Sequence, residues 1–130
     1  MARTAHLALA LLLVILAACS TRPADRPTGS LSGRATAGPV CPVEQVPPDP
    51  ACAPRPVAGA IIVVRDPQGR EVARATTDAD GRYRLTLPAG EYVVEPQAIA
   101  AYPGPAESKP VTIAPGGSVT ADVAYDTGIR

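Results

Sequence analysis

Two aspartates separated by one residue, Asp78 and Asp80, stand just before Gly81, and they are the pair in this chain best spaced for carboxylate chemistry. Such a pair can share general acid and base work or supply the first oxygens of a calcium loop. A calcium loop needs further oxygen ligands and a closing Glu, whereas Arg82, Tyr83 and Arg84 follow here. The expected role is therefore a turn, in which Asp accepts backbone N–H bonds and Gly81 supplies a positive φ. Nucleophilic chemistry has less to work with. The single histidine, His6, sits in an N-terminal apolar leader. That leaves Ser or Thr activated by a carboxylate or by Lys109, and nothing in the spacing brings such groups together. No catalytic residue, metal ligand set or cofactor is expected.

Three cysteines remain to be explained. Leu7 to Leu16 is an unbroken apolar run behind Arg3, of signal-peptide length and too short to span a bilayer as a helix. It ends in Leu16-Ala17-Ala18-Cys19, which resembles the lipobox of bacterial lipoprotein precursors. That resemblance implies cleavage after residue 18, a diacylglycerol thioether on Cys19, and an extracytoplasmic protein held on a bacterial cell membrane by acyl chains such as palmitate. The other reading is ordinary secretion with Cys19 a free thiol. Ser20 to Ser30, rich in Pro, Gly and polar residues, reads as a flexible tether. Exported proteins meet oxidising conditions, so Cys41 and Cys52 in a proline-dense loop are expected to form a disulfide. A zinc site is the alternative, and it lacks a histidine and a second cysteine pair.

These residues need elements to position them. Sixteen prolines, 11 glycines and no Phe or Trp in 130 residues argue for short strands joined by many turns. Net charge is zero; without Arg3 the count is 12 − 1 = 11 basic against 12 acidic side chains, so no nucleic-acid footprint exists. Strands are expected at Leu31–Ala37, Gly59–Arg65, Arg70–Thr76, Arg82–Leu87, Glu91–Glu95, Pro110–Ala114 and Ser118–Tyr125. Gly59–Arg65 is β-branched and apolar, which fits a strand buried at the centre of a sheet. In Arg82–Leu87 the residues Tyr83, Leu85 and Leu87 share one face, with Arg82, Arg84 and Thr86 on the other. Arg82 and Arg84 near Glu91 and Glu95 in sequence read as surface charges, or alternatively as a ligand patch.

Seven strands about ten residues apart, with turn signals between them, predict an all-β, seven-stranded Greek-key sandwich. Leu87-Pro88-x-x-x-Tyr92 resembles a tyrosine corner, which would place the strands on either side of Pro88-Ala89-Gly90 in different sheets. A simple hairpin is the competing geometry. The loop Gln97–Lys109 holds Tyr102, the one aromatic residue in a position to meet a ligand; a deep pocket shared with the Val40–Pro56 loop would favour binding.

The run Gly59-Ala60-x-Ile62-x-Val64-x-Asp66-x-x-Gly69, then Thr77 to Tyr83, then Leu87-Pro88-Ala89-Gly90-Glu91-Tyr92, resembles the carboxypeptidase regulatory-like domain over roughly Leu31 to Tyr125. The resemblance implies a transthyretin-like (prealbumin-like) sandwich, related to collagen-adhesin B-type domains, that serves as a spacing or binding module. Hydrolase relatives in the wider class depend on histidines and a particular C-terminal tetrapeptide, whereas here the expected mature chain holds no histidine and the sequence ends Thr127-Gly128-Ile129-Arg130. Isopeptide crosslinks of the adhesin kind join Lys to Asn, and here Lys109 is the one lysine and no asparagine exists. The chain divides into residues 1–18 as signal peptide, 19–30 as lipidated Cys and tether, and 31–130 as the sandwich. The expected function is a non-catalytic, membrane-anchored structural or protein-interaction module at the cell envelope. A monomer is expected, with an envelope protein or polysaccharide as partner. The alternative is a lipoprotein that recognises carbohydrate or peptide through its loops.

Overall fold

A computed structural model describes residues 26–104 and 106–130. The leader, Cys19 and most of the tether lie outside the described residues. Two β-sheets pack face to face. The elements run β1 (Thr28–Gly38), a single 3-10 turn (Pro50–Cys52), β2 (Arg55–Pro56), β3 (Ile61–Arg65), β4 (Glu71–Thr76), β5 (Arg82–Pro88), β6 (Gly90–Pro96), β7 (Lys109–Ile113), β8 (Ser118–Thr120) and β9 (Val123–Asp126).

The first sheet is organised on β1. Along one side it pairs antiparallel with β5 and then β2; along the other it pairs parallel with β8 and then β9. The second sheet has the order β4-β3-β6-β7, antiparallel throughout. The core is built from inward residues of both sheets, among them Leu31 and Ala35 on β1, Ile62 and Val64 on β3, Tyr83 and Leu87 on β5, Val94 on β6 and Tyr125 on β9. With Phe and Trp absent, Tyr125 is the largest fully buried side chain among the described residues.

The described residues form nine strands, not the expected seven. Arg55–Pro56 adds a two-residue strand, paired with Thr36 and Ala37. The expected Ser118–Tyr125 strand is split at Ala121–Asp122, opposite Gly33 of β1, where a Cβ would collide with the Ala121 carbonyl. The Ala121 N–H still donates to the Ser32 carbonyl at 2.8 Å. The ladder is interrupted one step later, where the Asp122 carboxylate in place of a backbone carbonyl accepts the Arg34 N–H at 2.9 Å. The first strand also starts earlier than expected. β1 begins at Thr28, because Thr28, Gly29 and Ser30 continue the register opposite Pro88, Leu87 and Thr86, so the last three residues assigned to the tether are strand.

β3 sits between β4 and β6 as its composition requires. Ile62 and Val64 enter the core, while Val63, on the opposite face, is also buried at 1% exposure. Its register neighbours are Arg74 and Glu95. Long charged side chains cover apolar surface with their stems while keeping their heads in water. Those heads are paired: Arg65 with Glu95 at 2.8 Å and Arg74 with Glu71 at 2.7 Å.

Candidate functional site

The Asp78–Gly81 turn feeds β5 into the first sheet. The Asp78 Oδ1 accepts the N–H groups of Asp80 and Arg82, both at 2.9 Å, and the Gly81 N–H donates to the Asp78 carbonyl at 2.9 Å. Gly81 has φ of 74°, and a Cβ there would meet the Ala35 carbonyl. The Asp80 side chain holds no part of this turn; its backbone carbonyl accepts from Arg34 Nε at 2.9 Å. Asp78 and Asp80 thus differ in use, and the carboxylate that shapes the backbone is Asp78.

Below this turn Tyr83 points into the core at 5% exposure, and its hydroxyl donates to the Ala121 carbonyl at 2.5 Å. That bond satisfies the oxygen left out of the ladder where β8 and β9 separate. Burial, with the Asp122 charge adding to it, pushes the Tyr83 phenol up to about 12. The hydroxyl is a fixed donor, not a base.

Over Tyr83 lies an open basin of about 460 Å³, lined by Ser32, Arg34, Asp78, Arg82, Arg84 and Asp122, with Gly33, Tyr83 and Thr120 completing it. Arg34 stands directly opposite Arg82 in the β1–β5 register, and Ser32 opposite Arg84. Glu91 and Glu95 are not near these arginines in the fold. The chain crosses to the other sheet at Pro88–Gly90, and Glu95 pairs with Arg65. Chemically the basin can donate paired N–H bonds to a planar anion from guanidinium groups and accept hydroxyl protons at its carboxylates. Sequence reading singled out Asp78, Arg82 and Arg84 but missed Arg34, Ser32, Thr120 and Asp122. Their one local signal was the polar positions of β1 and of the Ser118–Tyr125 segment, and nothing in the sequence registers these against β5.

Other residues singled out by sequence have structural partners. The Tyr92 hydroxyl donates to the Pro88 carbonyl at 2.7 Å, and β5 and β6 lie in different sheets, which is the tyrosine-corner geometry. At Gly90 a Cβ would meet the Tyr92 ring at 3.7 Å, ordinary van der Waals contact. Tyr102 is not an open platform. It packs against the core, stacked on Tyr125 with ring centroids 5.4 Å apart. The hollow beside the Cys loop is lined by Glu44, Gln45, Pro48 and neighbours, without Tyr102, so it is not the shared pocket that would favour ligand binding.

Cys41 and Cys52 are bonded, with Cα atoms 5.3 Å apart. The loop they close presents Val43 and Val46 to solvent at 69% and 98% exposure. Thr77, which sequence reading passed over, is buried; its hydroxyl donates to the Val57 carbonyl at 2.6 Å and accepts the Ala60 N–H at 2.9 Å. Asp66 is likewise inward. Burial alone would raise its carboxyl, but the Arg70 N–H and guanidinium and the Gln68 N–H hold it below the usual range. Among the described residues no cluster of three or more His, Cys, Asp or Glu is arranged to hold a metal ion, and no helix is long and apolar enough to cross a membrane.

The model of the carboxypeptidase regulatory-like domain matches residues 51–126. Strand β1, the hub of the first sheet, lies ahead of that stretch, so the match is shorter than the Leu31–Tyr125 span expected from sequence. No curated protein matches. Among solved structures, a minor pilin of Streptococcus agalactiae is 19% identical with a TM-score of 0.59, over 78% of this chain and 45% of that one. The TIE protein of Bacillus anthracis is 22% identical at a TM-score of 0.56, over 77% of this chain and 17% of that one. The shaft pilin SpaA of Lactobacillus rhamnosus GG is 12% identical at 0.56, over 75% and 49%. The chain therefore spans less than half the length of these relatives, and at such identities the likeness is one of fold.

Proposed function

The chain belongs to the carboxypeptidase regulatory-like domain family, and on that footing we propose that it is a non-catalytic structural or protein-interaction module held at the bacterial cell envelope by a lipid on Cys19. One observation carries the reading: four side chains that could serve chemistry, Asp78, Tyr83, Thr77 and Tyr92, are spent on backbone. Asp78 bonds Asp80 and Arg82 N–H groups, the Tyr83 hydroxyl bonds Ala121, Thr77 bonds Val57 and Ala60, and Tyr92 bonds Pro88. Groups held this way keep a scaffold rigid and are poorly placed to move protons or attack a substrate.

The Cys41–Cys52 bond supports an exported, oxidising location. That two of the solved relatives are pilins supports a structural role. Acyl chains on Cys19 would each contribute about 0.8 kcal/mol per buried methylene, enough in pairs for stable anchoring. With β1 starting at Thr28, residues 20–27 would be the tether, reaching roughly 26 Å at about 3.3 Å per residue.

Cell fractionation of the Cys19→Ser protein tests the anchor. Release into the soluble fraction is expected, and retention in the membrane fraction would refute it. Crosslinking in intact cells followed by pull-down tests the module. Recovery of a defined envelope protein is expected, with capture reduced by Val46→Asp in the exposed loop. Turnover of a small substrate by the purified chain would refute the non-catalytic reading.

A further inference from the structure

The outer faces of the two sheets treat arginine differently. On the four-stranded sheet Arg65 and Arg74 each hold a glutamate. On the β1 sheet Arg34, Arg82 and Arg84 share one basin, and among the described residues none of the three is in an ion pair. Register sets Arg34 against Arg82 across the β1–β5 pair. Like charges directly opposite one another destabilise a sheet, and a bound anion would remove that repulsion.

The two acids of the basin are arranged to complement such a ligand. Asp78 and Asp122 each use Oδ1 on backbone N–H groups, and no hydrogen bond is made by either Oδ2 among the described residues. Guanidinium donors are thus interleaved with free carboxylate acceptors and with the Ser32 and Thr120 hydroxyls. An anion without hydroxyls would leave the acceptors idle, and a dense polyanion would be repelled by them. A neutral sugar would leave the three cations unpaired.

We propose that this basin binds an acidic polysaccharide through its uronate units. The sugar carboxylate takes paired N–H bonds from the arginines, and ring hydroxyls donate to Asp78 and Asp122. The volume, about 460 Å³, falls within the range of small-ligand sites, roughly 300–1,000 Å³. Every lining residue except Asp78 and Asp122 comes from β1, β5 or β8, so the site is preformed on strands. Its location is a sheet face and not the loops, and it requires neither the lipid on Cys19 nor a protein partner.

The test is binding of the full-length chain, purified in detergent, to immobilised polygalacturonate, with dextran and poly(glycerol phosphate) as comparison polymers. Expected are retention on polygalacturonate that weakens with added salt, weaker retention on poly(glycerol phosphate), and none on dextran. Arg82→Gln with Arg84→Gln is expected to weaken polygalacturonate binding by about tenfold or more. Arg34→Gln alone gives a second reading if the double variant folds poorly, and Arg55→Gln, on β2 outside the basin, leaves binding unchanged. Equal retention on dextran, equal or tighter retention on poly(glycerol phosphate), absence of polygalacturonate binding, or arginine variants that bind like the parent would each overturn the proposal. Loss of a pulled-down partner in Val46→Asp with polygalacturonate binding intact would separate this site from the module's protein contact.

Discussion

The Tyr92 hydroxyl reaches back four residues to the Pro88 carbonyl at 2.7 Å, across the point where the chain leaves one sheet for the other. A crossing made with only Ala89 between strands has few ways to fix its angle. The tyrosine supplies one. Removing the hydroxyl while keeping the ring, in Tyr92→Phe, is expected to lower stability by about 1 kcal/mol. Denaturant titration measures this, and an unchanged midpoint would show that the ring alone sets the corner.

Thr77 ties the approach to β3 onto the end of β4. Its hydroxyl serves both the Val57 carbonyl and the Ala60 N–H, while its own backbone pairs with Gly59 and Ala60. Thr77→Val has nearly the same shape but strands two buried backbone groups. A loss of about 1–3 kcal/mol is expected. Thr77→Ser, which retains the hydroxyl, should recover most of it; equal losses in both variants would point to the methyl group instead.

Local features were legible in sequence, and features made by register were not. The Asp78 turn and the Tyr92 corner each close within four residues, so a short window contains all of the physics. The alternation of Tyr83, Leu85 and Leu87 named a core face that the fold uses. The basin is different, since Arg34 and Asp122 meet across 88 positions and only strand pairing says so. The break between β8 and β9 was hidden for a related reason. Ala121, Val123 and Tyr125 remain buried straight through it, so the hydrophobic pattern runs on where the ladder stops. The stacking of Tyr102 on Tyr125 was hidden because a loop aromatic looks the same in sequence whether it faces solvent or packs on a core ring.

Cys41 and Cys52 close a ring within a loop whose base is already pinned by Thr36 and Ala37 pairing with Pro56 and Arg55. In the chain-entropy account the bond constrains the unfolded chain by about 3 kcal/mol for a ring of about 12 residues. The Cys41→Ser, Cys52→Ser double variant is expected to unfold at lower denaturant while retaining both sheets. Mass spectrometry of the unreduced parent should recover the two cysteines joined. Free thiols at both positions would contradict the bond, and a double variant as stable as the parent would mean that the loop's prolines already restrict the unfolded chain.

Tyr83 makes alkaline stability a readout of the core. Its phenol is pushed from 10.0 to about 12 by burial first and by Asp122 second. Below pH 10.0 both folded and unfolded chains keep the proton, and the site adds no pH dependence. Between 10.0 and about 12 the unfolded chain gives up the proton while the folded one retains it, so this contribution falls as pH rises, by roughly 2–3 kcal/mol in total. Tyr83→Phe lacks the ionisation but also leaves the Ala121 carbonyl without its donor, at a cost of about 1–3 kcal/mol near neutrality. The parent should therefore start more stable than the variant and lose that lead through this window. Urea midpoints measured for both proteins at stepped pH would show the gap narrowing. A constant gap would mean that Tyr83 ionises alike in both states and that the hydroxyl is not sealed against Ala121.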